Sequence, residues 1–188
     1  MLDVFQKTIS KPTEFKGIGL HSGQDSTIKI LPAPENHGIV FKRVDLDKNN
    51  EIKASFENVF SAKLCTTIQN KFSVSVSTIE HLLAAIYITG IDNALIEISA
   101  SEVPIMDGSS KEFVETISAT GVIDQNSKRK YLKILKKFDL IEDKKFISIE
   151  PHANSLKVDF ELVYSNIVIG KQRNQINFSE KDLTKVYT

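Results

Sequence analysis

Short runs of alternating apolar and polar residues fill most of the first 76 residues, and such alternation is typical of strands that bury one face. The runs end at turn-forming residues, most clearly at Pro32-Ala33-Pro34. The polar segment 45–50 predicts a further turn. The predicted strands are 4–9, 13–18, 26–31, 39–41 and 72–76, and another is predicted at 94–98.

A helical repeat replaces the alternation after residue 77 and predicts a helix over 78–89. Its apolar residues follow the i, i+3, i+4, i+7 rule: Ile79, Leu82, Leu83 and Ile86. Ser77 and Glu80 have the spacing of a capping box, and Gly90 ends the repeat. Because the opposite face is also apolar, we expect this helix to be buried between layers, with Glu80 and His81 buried in its first turn.

A second helix is predicted after residue 109. Ser109 and Glu112 have capping-box spacing, and Gly121 marks the end of the helix. The polar segment 124–130 that follows predicts a linker between two parts of the chain.

Beyond the linker the sequence predicts strands without a helix to cover them. The predicted strands are 131–141, 146–149 and 156–164, so residues 131–178 hold three or four strands, and 180–186 is a short amphipathic piece. An antiparallel sheet needs one buried face. We therefore expect a second chain, or further C-terminal residues, to cover residues 131–178.

Composition narrows the class of protein. The 188 residues carry 24 basic and 24 acidic side chains, a balance that argues against nucleic-acid binding. No apolar run approaches the roughly 20 residues of a membrane span, and Met1–Phe5 lacks the layout of a signal peptide. The single cysteine, Cys65, fits a reducing compartment, so we expect a cytoplasmic protein of one domain or two small ones.

Glu80 and His81 carry the strongest chemical signal in the sequence. One interpretation makes His81 a metal ligand and Glu80 the carboxylate that takes a proton from water at the metal. In the other, Glu80 completes the capping box and His81 packs against a loop. Burial of both groups would favour the first, because buried ionisable groups are costly unless they are paired or bind a metal. The pair is not an H-E-x-x-H motif, and the helix offers no second ligand.

Three further segments have open or structural interpretations. The glycine-rich segment Gly17–Gly23 forms either a tight turn or a pocket rim that carries His21 and Ser22; its glycine spacing is not that of a phosphate-binding loop. Cys65, beside two threonines, is more typical of a buried structural cysteine than of a nucleophile. Met106–Ser109 favours a turn that precedes the second helix over a site carboxylate.

Several of these motifs occur together in one known family. The segments are Gly17-Ile-Gly-Leu-His-Ser-Gly23, Pro32-Ala-Pro34, Gly38-Ile-Val-Phe41, Thr78-Ile-Glu-His-Leu-Leu-Ala-Ala85, Gly90-Ile-Asp-Asn-Ala94 and Ser99-Ala-Ser-Glu-Val-Pro-Ile-Met-Asp-Gly-Ser109. Their order and spacing resemble the UDP-3-O-acyl-N-acetylglucosamine deacetylases, zinc amidases of lipid A biosynthesis. The resemblance is specific over residues 5–125 and weaker to residue 188.

The resemblance implies an α+β fold of two similar domains, each a β-sheet packed on two helices, with the active site between them. The first domain is expected over residues 1–126 and contains the buried helix 78–89. The second is expected to begin at residue 127 and to be truncated at residue 188.

The resemblance also implies that the chain hydrolyses the N-acetyl amide of a UDP-linked acylated glucosamine, with Glu80 as general base and His81 as a Zn²⁺ ligand. Leu20, His21, Leu64 and Cys65 are then expected to contact the substrate, and Cys65 to lie near the metal without acting as a nucleophile. The other two ligands, a His and an Asp, and a His general acid are expected beyond residue 188.

One ligand cannot hold zinc in a hydrolytic site, so we expect the 188-residue chain to be inactive alone. The alternative is a non-catalytic remnant, or a partner-binding half that pairs through the uncovered sheet of residues 131–178. A general β-rich binding module has no need for Glu80 and His81 on a buried helix.

Overall fold

The computed structural model describes residues 4–153 and 155–178 and divides the chain into two units, one ending at Arg129 and one beginning at Lys130. The strands of the first unit are β1 (Phe5–Ile9), β2 (Thr13–Ile18), β3 (Asp25–Pro32), β4 (Ile39–Arg43), β5 (Glu51–Lys53), β6 (Val59–Ser61), β7 (Thr67–Gln69), β8 (Ser75–Val76), β9 (Ala94–Ile98) and β10 (Val122–Lys128). Its helices are α1 (Glu80–Ile88) and α2 (Lys111–Thr120), with a 3-10 turn at Phe56–Asn58.

A five-stranded sheet forms the centre of the first unit, in the order β2-β3-β9-β4-β5. β4 and β9 run parallel, and the other neighbouring strands run antiparallel. Ile28 on β3 is opposite Ile98 on β9, and Ile30 is opposite Ile96. All four isoleucines are fully buried, as the alternation of the sequence predicts. Each such side chain contributes about 1.5–3 kcal/mol to folding.

The two helices contact each other and contribute one apolar face each to the core. α1 buries Leu82, Ala85 and Ile86, and α2 buries Phe113, Val114 and Ile117. The ring of Phe113 meets the ring of Phe15 on β2 edge to face, with 4.9 Å between the ring centroids. Sheet and helices together confirm an α+β fold.

The predicted start and burial of α1 are both wrong in detail. The helix begins at Glu80, and its N-cap residue is Ile79 rather than Ser77. The N–H and the hydroxyl of Ser77 both donate to the carbonyl of Ser101, so Ser77 pairs with a neighbouring segment instead of capping the helix. The helix is also not buried all round: Glu80 and His81 are half-buried and Tyr87 is 60% exposed. The cost of complete burial therefore does not apply to the two ionisable groups.

The turn before α2 replaces the second predicted capping box. The N-cap residue is Ser110, not Ser109, and the Oγ of Ser109 accepts the N–H of Lys111 at 3.1 Å. Oδ1 of Asp107 accepts the N–H and the hydroxyl of Ser109, and these hydrogen bonds hold the pKa of Asp107 below its usual value. The preferred interpretation of this segment as a turn is confirmed, as is the end of α2 at Gly121, where φ is +89°.

The most regular alternation in the sequence forms only two residues of strand. Of the predicted strand 72–76, Ser75 and Val76 form β8. The side chain of Asn70 accepts the backbone N–H groups of Phe72 and Val74, so these groups close a turn instead of joining a ladder. The three-residue strands β5, β6 and β7 were not predicted.

The predicted linker over 124–130 is mostly strand. β10 pairs antiparallel with β1 across Val122–Lys128. Its polar side chains make specific long-range hydrogen bonds: Gln125 accepts from the amide of Asn93, and Ser127 donates to Glu35. Polar composition predicts a linker here, whereas these side chains connect distant segments of the unit.

The second unit contains two hairpins within its described residues. Its strands are β11 (Phe138–Glu142), β12 (Lys145–Ile149), β13 (Leu156–Val163) and β14 (Lys171–Phe178). β11 pairs with β12 and β13 with β14, both antiparallel. Four strands agree with the expected number, but the predicted strand 131–141 begins only at Phe138. Residues 131–153 and 155–178 contain no helix, and the predicted amphipathic piece 180–186 lies outside the described residues.

Both hairpins expose apolar side chains. Ile141, Phe146 and Val163 are 73%, 80% and 72% exposed. The predicted division of the chain into two deacetylase domains stays a prediction.

Among the described residues, no helix has the length and apolar character required to cross a membrane.

Candidate active site

Glu80 occupies the first position of α1, and a neighbouring loop fixes its side chain. The carboxylate oxygen Oε2 accepts the backbone N–H of Thr66 at 3.0 Å, and the carbonyl of Thr66 accepts the N–H of Ile79 at 3.5 Å. The segment that contains Cys65 is thus joined to the beginning of the helix. Oε1 accepts no hydrogen bond from the described residues.

His81 follows Glu80 and is held by its backbone. Its carbonyl accepts the hydroxyl of Ser110, the N-cap residue of α2, at 2.9 Å. The half-buried imidazole makes no hydrogen bond to the residues that the structure describes. A neutral imidazole nitrogen is a common zinc donor, so this side chain is suited to hold one position of a metal site.

The segment Gly17–Gly23 contains the last two residues of β2 and the turn that leads to β3. The N–H of Gly23 donates to the carbonyl of Gly19 at 2.9 Å and closes the turn. Leu20 and His21 are exposed at its tip. This agrees with a tight turn and leaves the role of the segment as a pocket rim a prediction.

Glu102 connects this turn with the segment before α1. The residue is 2% exposed, and its carboxylate accepts the N–H of His21 at 3.0 Å, the N–H of Ser22 at 2.8 Å and the hydroxyl of Thr78 at 2.7 Å. Burial raises the pKa of Glu102, but these hydrogen bonds outweigh it and lower the pKa to about 2. The carboxylate is therefore ionised at neutral pH.

Sequence reasoning gave Glu102 no role of its own. Its partners lie 24 residues away at Thr78 and 80 or 81 residues away in the turn, so no local spacing indicates them. The signal that was present is an acidic residue directly before the short apolar stretch 103–106, which is weak without the fold.

Leu64 and Cys65 precede the residue that binds Glu80. Leu64 is 85% exposed and has a φ of +68°, an uncommon conformation for a residue other than glycine. Cys65 is half-buried, and its Sγ lies 3.8 Å from the hydroxyl oxygen of Thr67. The thiol therefore has a polar neighbour and is less buried than a purely structural cysteine would be.

A zinc ion needs more donors than this part of the chain supplies. Catalytic zinc sites use three protein ligands. Across residues 4–153 and 155–178, no group of three His, Cys, Asp or Glu side chains is placed to hold a metal ion. His81 fits one position of such a site, and the described donors do not form a complete set.

A comparison with known proteins gives the family. A family model described as LpxC, UDP-3-O-acyl N-acetylglycosamine deacetylase, matches residues 6–186. The chain belongs to this family. Over 171 residues it is 40% identical to the UDP-3-O-acyl-N-acetylglucosamine deacetylase of Pseudoalteromonas translucida (strain TAC 125). The aligned segment covers 91% of this chain and 56% of that protein. Over 173 residues it is also 40% identical to the protein of that name from Legionella pneumophila (strain Corby). Here the aligned segment covers 92% of this chain and 56% of the relative.

The chain thus spans little more than half the length of these deacetylases. The match includes both units and is consistent with the N-terminal portion of such a protein.

Proposed function

We propose that the chain provides the base and one metal ligand of a UDP-3-O-acyl-N-acetylglucosamine deacetylase, which hydrolyses the N-acetyl amide of its substrate in lipid A biosynthesis. The family match over residues 6–186 supports the reaction class. The observation that carries the roles is the position of Glu80, fixed at the start of α1 by Thr66, with His81 beside it.

Glu80 is the general base in this proposal. It takes a proton from water while the water oxygen bonds to the acetyl carbonyl carbon; the C–N bond then breaks, and acetate and a protonated amine leave. Zinc, when bound, would polarise the carbonyl and lower the pKa of the attacking water. His81 would hold the ion at one position.

The remaining two ligands and the acid that protonates the amine are proposed to come from a C-terminal part of the protein. On this account the 188-residue chain is inactive alone, because the described residues supply no complete donor set.

Leu20, His21, Leu64 and Cys65 are proposed to face the substrate. Leu20 and Leu64 are 60% and 85% exposed, which leaves apolar surface for the acylated sugar. Cys65 directly precedes Thr66, whose backbone N–H donates to Glu80, and the residue is therefore proposed to lie near the base. It lies near the proposed metal and does not form a covalent intermediate.

We place the reaction in the cytoplasm, in keeping with a single free cysteine.

The exposed hairpins support a partner for residues 131–178, either the C-terminal half of the same protein or a second chain. The second candidate function, a non-catalytic half that pairs through this surface, depends on the same observation. Isolated two-stranded hairpins are marginally stable in water, and β11–β12 and β13–β14 each form a separate two-stranded sheet within the described residues.

A fused protein distinguishes the two functions. In this protein, called here the completed protein, the chain is followed by the part of the Pseudoalteromonas translucida deacetylase that lies beyond the matched segment. Release of acetate from UDP-3-O-acyl-N-acetylglucosamine, absent with the chain alone, is expected. A folded completed protein that binds zinc and releases no acetate would instead favour the partner-binding half.

A further inference from the structure

Thr78 has a backbone conformation that needs an external support. Its φ is +56°, a left-handed value that is rare and strained for a β-branched residue. The residue is 2% exposed and stands two positions before Glu80, where the chain turns into α1. Such a conformation persists only where surrounding contacts stabilise it.

Glu102 supplies that contact. The hydroxyl of Thr78 donates to Oε1 of Glu102 at 2.7 Å, and the same carboxylate accepts the backbone N–H groups of His21 and Ser22. Hydrogen bonds to a charged acceptor are stronger than neutral ones, and here the acceptor is buried. One side chain therefore joins the β2–β3 turn to the residue that sets the entry into α1.

Gly19, in the β2–β3 turn, lies directly against the carboxylate of Glu102. A Cβ built on Gly19 would lie 2.5 Å from Oε2 of Glu102 and would also overlap the hydroxyl oxygen of Ser22. Only a residue without a side chain leaves room for the carboxylate beneath the turn.

The geometry points to Glu102 as a positioning residue for the proposed base: through Thr78 it fixes the start of α1, and with it the position of Glu80, relative to the turn that carries His21. This inference rests on the proposed function only for the role of Glu80, because the mechanical connection is independent of turnover. Glu102 does not touch the reacting atoms on this account.

Amide hydrogen exchange on the 188-residue chain tests the connection. The amides of His21 and Ser22 report on their direct bonds to Glu102, whereas the amide of Thr66 bonds to Glu80 and has no bond to Glu102. Glu102→Gln keeps the size of the side chain but removes its charge, so both N–H donors and the hydroxyl of Thr78 lose a charged acceptor. Exchange at all three amides is expected to accelerate about tenfold.

Thr78→Val removes the hydrogen bond between Thr78 and Glu102 and leaves the bonds from His21 and Ser22 in place. It is also the variant to measure if Glu102→Gln fails to fold. It keeps the shape of the side chain and removes the hydroxyl alone. Faster exchange at Thr66, with His21 and Ser22 still protected, is the expected result. Glu115→Gln, which removes the same charge from an exposed position of α2, should leave all three amides unchanged.

Normal exchange at Thr66 in Thr78→Val would overturn the inference, because Glu102 would then hold only the turn. The outcome is separate from that of the proposed function. An inactive completed protein would contradict the proposed reaction but would not change the interpretation of the exchange result. In an active one, Thr78→Val should lower kcat about tenfold and leave KM within about twofold.

Discussion

Thr66 donates its backbone N–H to Oε2 of Glu80 across 3.0 Å, and this bond joins a loop to the first residue of α1. A carboxylate held by a backbone group is confined without being neutralised by a cation. For a general base this is a favourable arrangement, because the side chain is oriented and can still accept a proton. Cys65 directly precedes Thr66 and so adjoins the segment that orients the proposed base.

The metal content of the isolated chain follows from its donor set. Purified 188-residue protein is expected to hold well below one zinc per chain, because His81 is the one ligand proposed here and the described residues offer no cluster of three. Elemental mass spectrometry of the protein beside His81→Ala measures this. About one zinc per chain, lost in His81→Ala, would mean that the chain builds a complete site by itself.

Gly19→Ala should destabilise the first unit by on the order of 2–3 kcal/mol. The added Cβ would collide with Glu102 and Ser22, and the displaced groups would lose buried hydrogen bonds. Urea unfolding gives the free energy. Gly23→Ala is the comparison: its Cβ meets nothing within 4 Å but its φ is +64°, so it costs only about 1 kcal/mol. Equal costs for the two variants would refute crowding at Gly19.

Glu102 also predicts a dependence of stability on pH. Its pKa is about 2 in the folded chain against an ordinary 4.5, so its contribution is complete above pH 4.5 and is lost as the pH falls towards 2. We expect this contribution to be on the order of 2 kcal/mol. Urea midpoints at pH 5.5 and pH 3 should therefore differ less in Glu102→Gln than in the wild type or in Glu115→Gln. The same pH dependence in all three proteins would exclude this role.

The exposed face of the β11–β12 hairpin predicts binding of a hydrophobic dye. Ile141 and Phe146 are opposite each other and 73% and 80% exposed. Changing both to serine should reduce dye fluorescence, because contiguous apolar surface binds such probes. A matched change of the neighbouring pair Glu142 and Lys145 to serine should not. A monomeric chain that binds no dye would contradict the uncovered sheet.

The sequence predicts those elements whose stability depends on local pattern. Alternation correctly indicates the buried faces of β3 and β9, and Gly121 marks the end of α2. In these cases the periodicity of the chain matches the layer that it packs against, so no distant information is needed.

Prediction failed where distant polar groups decide the structure. The side chain of Asn70 makes a turn of the first part of the expected strand 72–76, and Gln125 and Ser127 join distant segments from within the expected linker. Glu102 was missed for the same reason, because its hydrogen-bond partners come from two other segments. For Glu80 and His81 the residues were identified from sequence, but their half-burial and the bond from Thr66 required the fold.

The turnover of Glu80→Gln in the completed protein tests the central claim most directly, because glutamine keeps the shape of the side chain and removes the base. We predict a fall in kcat of about 10² to 10⁴ fold, the usual contribution of a general base, with Glu115→Gln unchanged. Unchanged turnover in folded Glu80→Gln would contradict the account and assign proton removal to another group.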